Sequence, residues 1–253
     1  MATWSPALAA HLISARVLEQ RDLAREWEGA GKGNTRGKLA TGMPVLDGVM
    51  TGGWPRGGLS EVSGPRSSGR TTLLYLSLAH ALAAGETAAL VDVGGGLDPH
   101  AAQTLGLPLQ RLLWVRCGAT QALAAADMVV SAGGFALVAV DFGDALVKAP
   151  TAAWQRLKRA AAQQRTAVVL SALYRPQGAL GKVSFRLDQG RPVFHGDIGA
   201  SLLLQLKTQA HLDRGGWERE ARLANVDSFA GVAKVVGALQ LTWSRFPAAA
   251  TAT

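Results

Sequence analysis

The chain has 253 residues, a formal net charge of +8 and a pI near 10.2, with 48% hydrophobic and 17% charged residues. This composition excludes an intrinsically disordered protein, and the length suffices for one large folded domain with appendages. A single cysteine, Cys117, excludes an intramolecular disulfide. No apolar run reaches the roughly 18–20 residues of a membrane span, and the N-terminus lacks the basic start and apolar stretch of a secretory signal. A cytoplasmic protein with an acidic partner is therefore expected, nucleic acid being the usual candidate.

In chain order, Ser5 and Pro6 form a helix-start pair, and Leu8, Leu12, Ala15, Leu23 and Trp27 recur at near-helical spacing. The pattern predicts a helical arm over residues 1–28. A glycine-rich basic linker follows over 29–38, so the arm stands apart from the core expected over 39–246. Leu8, Leu12, Leu23 and Trp27 then either dock the arm on a partner or fold it back on its own domain, because an apolar stripe does not name the surface it covers.

From residue 41 to residue 172 strands and helices alternate. Strands are predicted at 59–63, 88–93, 112–116, 136–141 and 167–171, with helices at 71–84, 119–131 and 151–164. Several strands are continuously apolar, which implies burial on both faces and hence a mostly parallel sheet flanked by helices. Ligands in such α/β folds lie beyond the carboxyl ends of the strands.

Gly64-Pro65-Arg66-Ser67-Ser68-Gly69-Arg70-Thr71-Thr72 falls at one such end, between a strand and a helix. The spacing is that of a phosphate-binding loop, in which glycines let backbone N–H groups converge on a phosphate at a helix N-terminus and a hydroxyl holds Mg²⁺. Gly64, Ser67, Ser68, Gly69, Arg70, Thr71 and Thr72 are thus candidate nucleotide ligands. Arg70 stands where the pattern has lysine, and a planar guanidinium does not replace a compact ammonium. Asp141, at the end of an apolar strand, has the position of a carboxylate that holds Mg²⁺ through water. No histidine spacing argues for a metal site, and no serine has a nucleophile context.

Residues 174–199 read as a loop-rich basic segment. Arg175, Lys182, Arg186 and Arg191 are candidate contacts to nucleic-acid phosphates, with Tyr174 or Phe185 available to stack; the same pattern also fits a solvated loop or hairpin. Arg156, Lys158, Arg159 and Arg165 on the preceding helix read as a solvated face. Antiparallel strands are predicted at 202–212, 217–224 and 235–243, with a glycine turn at 214–216 and a disordered tail over 247–253.

Thr41-Gly42, Leu46-Asp47, Gly52-Gly53, Gly57-Gly58, the 64–72 loop, Val91-Asp92 and Leu97-Asp98-Pro99 resemble the ATPase core of RecA recombinases in order and spacing, over residues 39–171. Within that superfamily the short chain, altered loop and N-terminal arm are most similar to ImuA, the RecA-like accessory family of mutagenic translesion synthesis. The resemblance implies a role in the SOS response to DNA damage. It also implies partners: an ImuB-like polymerase homologue, an alternative replicative-type polymerase, the recombinase itself, single-stranded DNA and self-association. It implies a catalytic glutamate as well, but the corresponding stretch reads Val93-Gly94-Gly95-Gly96. Ser171-Ala172-Leu173 replaces the glutamine that senses the γ-phosphate, and 142–150 is too short for the first DNA loop. A glycine cannot orient water, so the expectation is a non-catalytic adaptor without a bound cofactor. An ATP-dependent recombinase paralogue and a SulA-type cell-division inhibitor are the alternatives.

Overall fold

The computed structural model describes residues 37–104, 106–195, 202–214 and 238–244. The arm expected over 1–28 with Leu8, Leu12, Leu23 and Trp27, most of the linker, the glycine turn after Arg214, the strand expected over 217–224 and the tail lie outside the described residues.

A short hairpin opens the core: Lys38–Leu39 (β1) pairs antiparallel with Trp54–Pro55 (β2), around the helix Pro44–Val49 (α1). Then follow Gly58–Ser63 (β3), Arg70–Ala83 (α2), Ala88–Val93 (β4), Pro99–Thr104 (α3), Leu112–Cys117 (β5), Ala122–Ala132 (α4), Leu137–Asp141 (β6), Thr151–Gln164 (α5) and Ala167–Ala172 (β7). Val183–Leu187 (β8), Arg191–His195 (β9), Leu202–Arg214 (β10) and Ala238–Ser244 (β11) complete the chain.

The main sheet has the order β11-β10-β8-β3-β7-β6-β4-β5, with β9 also paired to β10. The pairs from β8 through β5 are parallel, while β10 runs antiparallel to β8, β9 and β11. The α/β core with antiparallel extension therefore matches the expectation. One part of the sequence reading needs correction: the supposed loop over 174–199 contains β8 and β9. These two strands pair with successive stretches of β10 as one long strand, interrupted at 188–190. The alternation Val183-Ser184-Phe185-Arg186-Leu187, buried except at Arg186, is a period-2 strand signal that the surrounding positive charge hides.

Both faces of the parallel sheet are covered. In β6, Leu137 and Ala139 join Leu73, Leu74, Leu78 and Leu82 of α2 on one side. Val138 and Val140 join Ala126 and Val130 of α4 and Trp154 and Leu157 of α5 on the other. A continuously apolar strand is what two-sided burial requires. The same burial makes Glu61, 0% exposed in the middle of β3, the exception that needs partners.

Candidate functional site

The chain turns from β3 into α2 through residues 64–69, at the carboxyl end of the parallel strands. Ser67 (φ +58°) and Gly69 (φ +91°) have left-handed backbones, and Gly69 sits immediately before the first residue of α2. This is the strand–turn–helix geometry of a phosphate loop, with Thr71 exposed at the start of a 14-residue helix whose dipole favours an anion there.

Arg70 does not point out to such an anion. It is 7% exposed, and its guanidinium lies between the ends of β6 and β7: Nη1 donates to Ser171 Oγ at 3.2 Å and to the Gly143 carbonyl at 3.4 Å. Nη2 also reaches the Gly143 carbonyl at 3.4 Å and lies 4.0 Å from Asp144 Oδ1. Burial pulls the Arg70 guanidinium below its ordinary pKa, opposed by Asp141 and Asp144. Asp141 is pushed up, first by burial, against the Gly143 N–H that its Oδ1 accepts at 3.0 Å and the nearby Arg70 charge. Asp144 also pairs with the exposed Arg66 at 2.5 Å. One carboxylate thus lies within ion-pair reach of two arginines of the loop, closely of Arg66 and at the limit of Arg70, and offsets one of their two charges.

The rest of the loop is held by its own chain. Gly190 N–H donates to the Ser67 carbonyl at 3.0 Å. A Cβ on Gly64 would come within 2.6 Å of the Leu187 carbonyl, so glycine is needed there for strand contact. Ser68 Oγ is buried with no partner among the described residues. The backbone at the start of α2 fits a phosphate group. The other half of a magnesium-nucleotide site does not fit, because an internal guanidinium sits beside Asp141 where a divalent cation would be needed, and like charges in that buried corner repel.

The turn after β4 is also closed. Asp92, 2% exposed, accepts Gly96 N–H at 2.8 Å, Leu97 N–H at 3.0 Å and Trp114 Nε1–H at 3.0 Å. Gly94 and Gly95 have φ of +88° and +73°, so the glycine triplet serves the turn's backbone as well as lacking a carboxylate. The Arg116 guanidinium stacks over Trp114 at 5.3 Å beside it.

The basic candidates are dispersed. Arg175 Nε pairs with Glu61 Oε2 at 2.7 Å, and Glu61 also accepts Gly181 N–H and, at 3.2 Å, Ser184 Oγ–H. Glu61 thereby pins the crossover from β7 to β8 across the sheet face. Lys182 Nζ donates to the Gly57 carbonyl at 3.1 Å, at the end of β3 remote from the loop. Arg186 pairs with Asp188 at 3.5 Å, and exposed Arg191 lies opposite exposed Lys207 across the β9–β10 ladder. Arg186 and Arg191 therefore flank the 188–190 break at the loop end of the sheet, Arg186 being about four residues or ~13 Å along the strand from Lys182 and Arg191 farther still. Sequence reasoning missed Glu61 and Asp144; a lone carboxylate inside an apolar strand was the available signal for the first.

Among the described residues no group of three or more His, Cys, Asp or Glu side chains is placed to hold a metal ion, and no helix is long and apolar enough to cross a membrane. The model for the RecA N-terminal domain matches residues 30–183. Protein RecA of Clavibacter michiganensis subsp. michiganensis is 42% identical over 111 residues, covering 43% of this chain and 31% of that protein. Protein RecA of Streptomyces ambofaciens is 41% identical over the same length, covering 43% and 30%. The aligned part thus spans under a third of the length of these relatives. The crystal structure of the RadB recombinase superposes with a TM-score of 0.52 at 23% identity, over 70% of this chain and 90% of that one, which shows a shared fold. With the family model spanning the hairpin, the loop, both carboxylate-ended strands and the crossover, the chain belongs to the RecA N-terminal domain family.

Proposed function

We propose that this protein is a RecA-like adaptor that does not hydrolyse ATP, acting in the ImuA role of DNA-damage-induced translesion synthesis. Its partners there are an ImuB-like polymerase homologue and a replicative-type polymerase, with the recombinase or single-stranded DNA as further contacts. The observation that carries the reading is Arg70. The one side chain that should clamp the transferred phosphate is instead folded inward, bonded to Gly143 and Ser171. Phosphoryl transfer depends on positioned cations and an oriented water, and neither a lysine nor a glutamate stands where the RecA pattern has one. Loss of turnover leaves the subunit's surfaces intact, and function resides in sites rather than in the fold.

The test is phosphate release by the purified full chain with Mg-ATP, with and without single-stranded DNA. The adaptor reading expects background rates in both. Turnover above background that is lost on Asp141→Asn substitution would instead establish an ATP-dependent recombinase paralogue.

A further inference from the structure

Two segments near the carboxyl end of the sheet, on its α5 side, frame a cleft whose lining mixes apolar side chains with Lys148, Arg175 and Gln177. Residues 145–149, between β6 and α5, and residues 174–177, after β7, line a volume of about 360 Å³. Leu146 and Tyr174 are each 66% exposed at its walls, and Leu180, farther along the second segment, is 56% exposed. Leu180 also holds φ +46°, a left-handed backbone that a branched side chain rarely adopts and that the fold must enforce. Scattered apolar side chains on a surface are normal; several large ones on adjoining segments mark an interaction site.

The far wall of the cleft is rigid. Arg175 is pinned by the buried Glu61, and Gly178 lies so close over the Trp154 ring that a Cβ would sit 3.2 Å from its Cδ1. A preformed wall lowers the ordering cost of docking. No aspartate or glutamate lines the cleft, and its two charged lining residues are Lys148, which is exposed, and Arg175, which is paired with Glu61. The helix α5, which starts beside it, adds Lys158 and Arg159, while its Arg156 is paired with Asp127 at 2.9 Å.

We propose that this cleft docks a segment of a partner protein that presents an aliphatic or aromatic anchor flanked by carboxylates. The proposal rests on the adaptor reading and names the chemistry of the partner. The lining favours a peptide over single-stranded nucleic acid. Bases need aromatic platforms, and Tyr174 is the one aromatic among the lining residues, beside aliphatic Leu146, Val147 and Pro176. A phosphate track also needs free cations in series, whereas Arg175 is committed to Glu61.

The experiment uses the full chain and a fluorescein-labelled synthetic peptide with a Leu-Phe anchor between aspartates. A control peptide has both anchors replaced by serine, oligothymidylate serves as the nucleic-acid arm, and phosphate release is followed in the same samples. Binding should be at least about tenfold tighter for the anchored peptide than for the control, since an apolar anchor buried in a cleft contributes that much. Leu146→Ser and Tyr174→Ser should each weaken it about tenfold with an unchanged thermal midpoint, because both side chains are on the surface. Lys148→Glu should weaken it mainly at low salt. Anchored-peptide affinity equal to the control, or unchanged in the leucine and tyrosine variants, overturns the proposal. So does oligothymidylate binding that those variants abolish while the peptide fails to bind. ATP turnover in the same tubes would defeat the adaptor reading while leaving the peptide result to be judged on its own.

Discussion

Replacing Arg70 by alanine separates the two roles that a basic residue can have in a phosphate loop. A side chain held ready for a ligand contributes little to the unliganded fold, and its removal is neutral or even stabilising once a crowded positive charge is relieved. Arg70 is built differently. It donates to Ser171 Oγ at 3.2 Å and to the Gly143 carbonyl at 3.4 Å, tying the start of α2 to the ends of β6 and β7. Each such bond contributes about 1 kcal/mol net, and deletion also strands the Gly143 carbonyl and leaves Asp141 without its nearest cation. Arg70→Ala should therefore cost about 2–3 kcal/mol in the absence of any nucleotide. For a chain of this size that is roughly 5–10 °C in thermal midpoint. Urea unfolding followed by tryptophan fluorescence reads the loss, repeated with Mg-ATP in excess. A variant as stable as the parent, or a parent markedly stabilised by Mg-ATP, would refute the assignment of Arg70 as an internal cation.

Glu61→Gln keeps the shape but removes the charge that binds Arg175; because Arg175 is itself exposed, weakening this half-buried pair should cost about 1–2 kcal/mol and raise amide exchange across 173–182. The pH dependence of Asp141 has a definite sign. Because burial raises its native pKa above the unfolded value of 3.8, its contribution is fully present below that value and is lost as pH rises through the higher native one. The stability difference between the parent and Asp141→Asn should accordingly move against the parent from pH 4 upward in paired urea titrations; a difference flat with pH would show that the carboxyl is not strained by burial. Restoring two of the three departures from the RecA pattern, as Arg70→Lys with Gly94→Glu, should still give background phosphate release. Gly94 has φ +88°, so a glutamate there strains the turn by about 1–3 kcal/mol and does not reach the required geometry. Release well above background by the double variant would show that residue identity alone had silenced the site.

Much of the fold was legible because its signals are local. The helix predicted at 151–164 matches α5 residue for residue, since a proline precedes it and Trp154, Leu157 and Ala161 recur on one face. The loop and Asp141 were legible because spacing alone places both at carboxyl ends of strands. What spacing could not show was direction. Arg70 reads as a ligand-facing cation until the positions of Gly143 and Ser171, 73 and 101 residues away in sequence, turn it inward. The same holds for Arg175, whose partner Glu61 lies 114 residues earlier. The short early elements β1, α1 and β2 and the helix α3 were missed because each is too brief to establish a period.

The hydrogen bond from Gly190 to the Ser67 carbonyl reaches beyond the loop itself. Gly190 belongs to the break between β8 and β9, which β10 holds through Asp188 N–H to the Gln209 carbonyl at 2.9 Å and Thr208 Oγ1–H to the Asp188 carbonyl at 2.6 Å. The loop is thereby coupled to a long antiparallel ribbon as well as to its own helix. A turn clamped from both sides lacks the slack to close around its contents, so any anion seated at the start of α2 would arrive and leave in a single kinetic phase. Its relaxation rate would rise linearly with anion concentration, without the plateau that marks a rate-limiting rearrangement.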